Sequence, residues 1–156
     1  MPNITPQKEI IINHHKNMID WVESFRKLSD ERWLMPIEVN KWSIAEIVSH
    51  FVPWEEFVLE NRIPYLTTDN PLPKPPDVET LNQQSAVEGR NNPKEITIQK
   101  FIDSRKRMID SITSISDRLW DMDIEIGTTK LSLFKYFDGL VQHDEHHKRQ
   151  IENALK

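Results

Sequence analysis

The stretch His143-Asp144-Glu145-His146-His147-Lys148-Arg149-Gln150-Ile151, near the C-terminus, places three of the chain's six histidines in a single helical turn. Residues four apart on a helix project from one face, so His143 and His147 can ligate the same metal ion. A pair on one helix is an incomplete site. Closing it takes a ligand from a facing helix, so the stretch reads as one wall of a helix bundle. The histidine placed to complete it is His50, which ends Trp42-Ser43-Ile44-Ala45-Glu46-Ile47-Val48-Ser49-His50.

Working outward, Leu133, Phe137, Leu140, then His143 or Asp144, then His147 and Ile151 continue one apolar face. This predicts a helix from just after Ser132 nearly to the end. A first helix over about 6–28 carries Ile11, His15, Met18, Val22 and Phe25 on its stripe. A second begins at Ser43, where Ser43-Ile44-Ala45-Glu46 is a capping-box pattern, and its stripe is Ile47, Phe51, Trp54 and Val58. Pro53 lies inside it and predicts a bend, because it cannot donate to the Ser49 carbonyl. A third follows Pro93, read as a first-turn proline, and runs to about Ile115 through Ile98, Phe101, Ile102, Met108, Ile109 and Ile112.

Between 63 and 93 the periodicity fails among prolines, with a helical piece expected near 78–88. A connection this long is usually functional or mobile, and it is expected to roof the site. The 121–130 stretch is read as irregular, with an extended piece around 124–126. The pattern predicts an all-α fold: a four-helix bundle of up-down-down-up type, with a long crossover between helices two and three, as a single domain over 1–156.

Composition narrows the function. Three glycines argue against a turn-rich β protein and against glycine-loop nucleotide binding. A formal charge of −5 leaves no basic footprint for nucleic acid. No apolar run approaches the ~20 residues of a membrane span, and Met1-Pro2-Asn3-Ile4-Thr5 does not look like a signal peptide. The absence of cysteine excludes disulfides, thiolate metal sites and cysteine nucleophiles, and fits a cytoplasmic protein. Any metal here is held by nitrogen and oxygen.

His143 and His147 read as continuing the apolar face of their helix, and His50 lies on the core stripe of its own. Neutral imidazoles buried without partners would cost roughly 1–3 kcal/mol each, a penalty that a shared divalent ion removes. The competing reading is a satisfied helix histidine at His50 beside a chance pair on a polar face. His146 sits toward the flank as a bystander, and His15 reads as an ordinary buried histidine, with His14 beside it. Glu46 reads as a capping residue before a partner for His50. Gln150 lies near the histidine face, while Asp144 and Glu145 are expected to face solvent.

The 42–50 segment resembles the second-helix motif of the DinB/YfiT-like superfamily, in which Trp and Ser or Thr open a helix ending on a ligand histidine. The 143–151 segment resembles that family's C-terminal motif, with Arg149 in place of its usual glycine. Asn82, Arg90, Pro93 and Arg105 fall where members often carry such residues. The resemblance implies a four-helix bundle, often dimeric, with His50, His143 and His147 as a divalent-metal triad for nickel, zinc, iron or manganese. It also implies a thiol-dependent S-transferase of the bacillithiol type, acting on a small electrophile with a low-molecular-weight thiol, or a related metal-dependent hydrolase. The alternative is a non-catalytic metal-binding, stress-related bundle. The Arg149 replacement and Pro53 are expected to alter packing or access beside the metal.

Overall fold

Helix boundaries follow capping side chains, which satisfy amide donors that the first turn leaves open. In the computed structural model, which describes residues 5–66, 68 and 71–156, α1 (Pro6–Glu23) starts at Thr5, whose hydroxyl accepts from the Lys8 amide. Short α2 (Asp30–Leu34) is capped by Ser29. Helix α3 (Ile44–Asn61) has the full capping box: Ser43 Oγ accepts from the Glu46 amide, and Glu46 accepts from the Ser43 amide. It continues through Pro53 to Asn61. Asp77 caps α4 (Val78–Asn91), and Ser132 caps α6 (Leu133–Leu155). Pro93 stands at the cap position of α5 (Lys94–Ser114), one residue before the first turn.

The long helices α1, α3, α5 and α6 form the four-helix bundle. Two smaller features go beyond the sequence reading. The crossover helix extends to Asn91, and the 121–130 region holds most of an antiparallel hairpin, β1 (Asp123–Ile126) with β2 (Thr129–Ser132), paired from Asp123↔Ser132 to Ile126↔Thr129. Gly127, with φ +61°, makes its turn. The N-terminal stretch read for targeting falls, over 1–4, outside the described residues. Among the described residues no helix is long and apolar enough to cross a membrane.

The core has two parts. One gathers Met18, Val22, Trp33, Ile47, Phe51 and Phe101. The other gathers Ile11, Met108, Ile112, Trp120, Leu133 and Phe137 beside the hairpin. Helix α4 lies along α3: Ser49 Oγ donates to the Ser85 carbonyl at 2.7 Å. A Cβ on Gly89 would stand 2.7 Å from the Ala45 carbonyl oxygen and 2.8 Å from Ser49 Cβ. Alanine ordinarily stabilises a helix interior relative to glycine by about 1 kcal/mol, but here the added methyl meets backbone. Gly89→Ala is therefore expected to destabilise by about 1–3 kcal/mol. Thermal unfolding checks this, and an unchanged or raised Tm would show that the two helices separate without cost.

Candidate metal centre

Helix α3 delivers His50 into the core and α6 brings His143 and His147 to face it. The ring centroids are 4.8 Å apart for His50–His147 and for His143–His147, and 6.3 Å for His50–His143. Zn–N bonds of about 2.0–2.1 Å at tetrahedral angles place three ring centroids roughly 5 Å apart. Two sides of the triangle match that spacing and the third is somewhat wide. The wide side belongs to His143, which is exposed, whereas His147 is half-buried and His50 buried. Trp42 and Phe51 flank His50, with centroids 5.0 and 4.8 Å away.

Hydrogen bonds orient two of the rings. His50 Nδ1–H donates to the Ile47 carbonyl, and His147 Nδ1–H donates to Gln150 Oε1 at 3.0 Å. A neutral imidazole has one protonated nitrogen, so each bond leaves the Nε2 lone pair free to ligate a metal. Burial pushes His50 down to about 4, with the charges of His147 and His143 acting in the same direction. His147 is lowered for the same reasons, burial first and then His143. Both are neutral near pH 7, as metal ligation requires. Gln150, read only as lying near this face, sets the His147 ring.

Glu46 does not reach for His50. Besides its capping bonds, its second carboxylate oxygen accepts from Arg90 at 3.0 Å, tying α3 to α4. Asn82 accepts from the Trp54 indole at 2.8 Å. His146 is exposed, with its centroid 5.5 Å from that of His147.

Two expectations about α6 are overturned. His143 is exposed instead of lying on the buried face, and Asp144, expected in solvent, is buried at 4 % exposure. Asp144 lies seven residues from both Phe137 and Ile151, at the centre of the inward face. It is buried because Arg105 of α5 meets it with a two-pronged bond: Nη1 to Oδ2 at 2.6 Å and Nη2 to Oδ1 at 2.9 Å. Burial alone would raise the Asp144 pKa; the guanidinium overrides it and holds the carboxyl well below the usual range. Arg105 also donates to Glu55 of α3 and, at 2.9 Å, to His15 Nδ1 of α1. Glu55 is raised to about 7 by burial, which outweighs the Arg105 charge that Asp144 shares.

Ligand atoms of His14, His15 and Asp144 lie within 4.8 Å of one another, a second arrangement with metal-ligand character. His14 Nε2 bonds Asp144 at 2.8 Å. A cation already fills this cluster: the Arg105 guanidinium donates to both Asp144 oxygens and to His15. A metal would have to displace it.

The open space beside the triad does not come from the crossover. A groove of about 240 Å³ at His147 is lined by Ile37, Asn40, Lys41, Trp42, Ile47 and Gln150. Its rim is the loop before α3, closed at its base by the Pro36–Ser43 bridge and by a bond from the Ile37 amide to the Trp42 carbonyl at 2.9 Å. Asn40, with φ +61°, makes the loop's turn. Among the described residues, α4 of the crossover lies against the Ala45–Ser49 side of α3 and reaches the site only through Asn82, which holds Trp54.

Fold and site together define an all-α four-helix-bundle protein with a solvent-open histidine cluster between two of its helices. The chain belongs to the DinB superfamily, whose model matches residues 16–151. Its structure is similar to that of YfiT from Bacillus subtilis, described as a probable metal-dependent hydrolase with an unusual four-helix bundle topology. The TM-score is 0.78 at 14% identity, covering 99% of this chain and 89% of that one, so the likeness is one of fold. No curated protein matches the sequence.

Proposed function

We infer that the chain is a divalent-metal-dependent enzyme in which His50, His143 and His147 hold the ion, and that it joins a low-molecular-weight thiol to a small electrophile. The observation that carries this reading is the pair of Nδ1–H bonds, to Ile47 and to Gln150, which leave two Nε2 atoms free beside an exposed third histidine. A nickel, zinc, iron or manganese ion in this site supplies Lewis acidity and lowers the pKa of a nucleophile brought to it.

The surrounding residues bear on which nucleophile that is. No carboxylate lines the groove at His147, and the two that line the cavity beside His143, Glu55 and Asp144, are both bound by Arg105. A thiol, with a pKa of about 8.5, loses its proton far more readily than water at about 15.7. A groove without a base suits the thiol, whose proton passes to solvent. The Lys41 ammonium at the rim suits an anionic group on that thiol. The sulfur then bonds to the electrophilic carbon, and the leaving group departs with the electron pair. On the His143 side, a cavity of about 60 Å³ has apolar walls from Trp54, Val58, Met108 and Leu140 and the Arg105–Glu55–Asp144 cluster at its other side, which suits a small body with one polar end.

Hydrolysis is the second reading, favoured by the description of YfiT. A purely structural ion calls for a fourth protein ligand, and Asp144, next to His143 in the chain, is already engaged by Arg105 and His14.

Anaerobic purification with elemental analysis tests the site. Wild-type protein is expected to carry a first-row metal stoichiometrically and His147→Ala to carry almost none; full occupancy in the variant would sink the triad. Thiol-consumption assays with a panel of electrophiles test the reaction. Turnover that proceeds equally well without thiol would assign hydrolysis instead.

A further inference from the structure

Helix α3 carries His50 and α6 carries His143 and His147, so the shape of the triad is the shape of the α3–α6 seam. Close backbone packing joins α3 to α5, α1 to α5 and α1 to α6. The α3–α6 seam is spanned chiefly by side chains, and Arg105 is at its centre. From α5 it donates to Glu55 of α3, five residues beyond His50, and to Asp144 of α6, adjacent to His143. Its bond to His15 adds α1, so all four bundle helices meet at one guanidinium. The guanidinium also lies 5.5 Å from the Phe51 ring centroid and 4.8 Å from that of Phe101. Phe51 in turn touches both His50 and His147, at centroid distances of 4.8 and 5.5 Å.

We propose that Arg105 is a positioning residue for the metal centre: it sets the α3–α6 spacing and, through Phe51, the ring orientations that let His50, His143 and His147 converge on one ion. This rests on the reading of the triad as a metal centre. The choice of residue fits the role, because a planar fork fixes two carboxylates in direction as well as distance, which a lysine point charge does not. Stability alone does not explain it, since apolar residues of similar volume often replace a buried ion cluster at no cost.

Cobalt(II) is the probe. Arg105→Lys is expected to bind it about 10–100-fold more weakly than wild type, with a shifted visible absorption spectrum. A merely structural role would lower Tm and leave the spectrum of the folded protein unchanged. The chain has no cysteine, so spin labels at Glu60→Cys and Glu152→Cys, both exposed positions, report the α3–α6 distance without metal. That distribution is expected to broaden in Arg105→Lys. Should this variant fail to fold, the charge-free combination Arg105→Met, Glu55→Leu and Asp144→Leu is expected to keep the fold and show the same weakening and broadening. Folded variants with wild-type distances, affinity and spectrum would overturn the proposal. If wild-type protein binds no cobalt, the triad reading fails by itself. The metal-free distances then decide: broadening upholds Arg105 as the residue that sets the seam, and unchanged distances overturn that as well.

Discussion

Asp144→Ala is expected to destabilise the protein by about 3–5 kcal/mol, the range for breaking a buried ion pair by removing one partner. Arg105 is 2 % exposed and spends both terminal nitrogens on Asp144. Removing the carboxylate leaves a buried cation with only Glu55 to answer it, and takes from His14 the 2.8 Å partner of its Nε2, leaving Glu145 at 3.5 Å from Nδ1. For a domain of this size each kcal/mol moves Tm by about 2–4 °C, so the melting transition should fall by roughly 6–20 °C. Asp144→Asn keeps the shape and one acceptor and should lose less. Denaturant titration of both variants is the measurement. A loss below about 1 kcal/mol, typical of an exposed pair, would return Asp144 to the surface.

Acid is expected to weaken the metal-free protein well before Asp144 titrates. His15 is pushed down to about 3, by burial first and then by Arg105, and His50 to about 4 by burial. A histidine whose native pKa is depressed contributes stability that is complete above its unfolded value and is lost as pH falls below it. The loss runs at about 1.4 kcal/mol per pH unit until the native pKa is reached. Glu55 acts in the opposite sense: raised to about 7, it holds a proton in the native state that the unfolded chain releases, so it stabilises as pH falls toward its unfolded value. His15 and His50 against Glu55 leave one proton of difference, and His147, also lowered, acts with the histidines, so at least about 3 kcal/mol is lost between roughly pH 6.5 and 4.5. Asp144, held low by Arg105, adds its own loss only below about pH 4. Urea titrations at the two pH values check the slope, and Glu55→Gln, which removes the opposing group, should steepen it. A flat profile would mean that His15 and His50 accept protons without unfolding.

The bundle was legible because its signals are local. Apolar stripes recur within each helix, and the Ser43, Asp77 and Ser132 caps lie within three residues of the amides they satisfy. The pairing of His50 with His143 and His147 was also within reach, since it needs only two helix faces turned toward each other. Asp144 was misplaced because its burial depends on Arg105, a residue on another helix, and a carboxylate beside polar neighbours reads as solvated. A signal did exist on each helix. Arg105 interrupts the stripe of Phe101, Ile102, Met108 and Ile112, and Asp144 interrupts that of Phe137, Val141 and Ile151. Two opposite charges centred on two buried faces imply each other. The groove was misassigned for a different reason: which side of α3 the crossover covers follows from the close approach at Gly89, and sequence spacing does not report a contact between distant segments.

The loop before α3 divides the labour of the chain. The histidines belong to the frame of the bundle, where a shifted helix would disturb every neighbour. The Ile37–Trp42 segment that borders the groove is closed at its base by the Pro36–Ser43 bridge, and Ile37 and Trp42 pack on the core, Trp42 directly beside His50. The exposed tip of that loop, Glu38 to Lys41, is the part free to vary without moving a helix, while Trp42 belongs with His50. Exchanging residues 38–41 alone therefore changes the groove's rim while leaving the Trp42–His50 contact and the bundle in place.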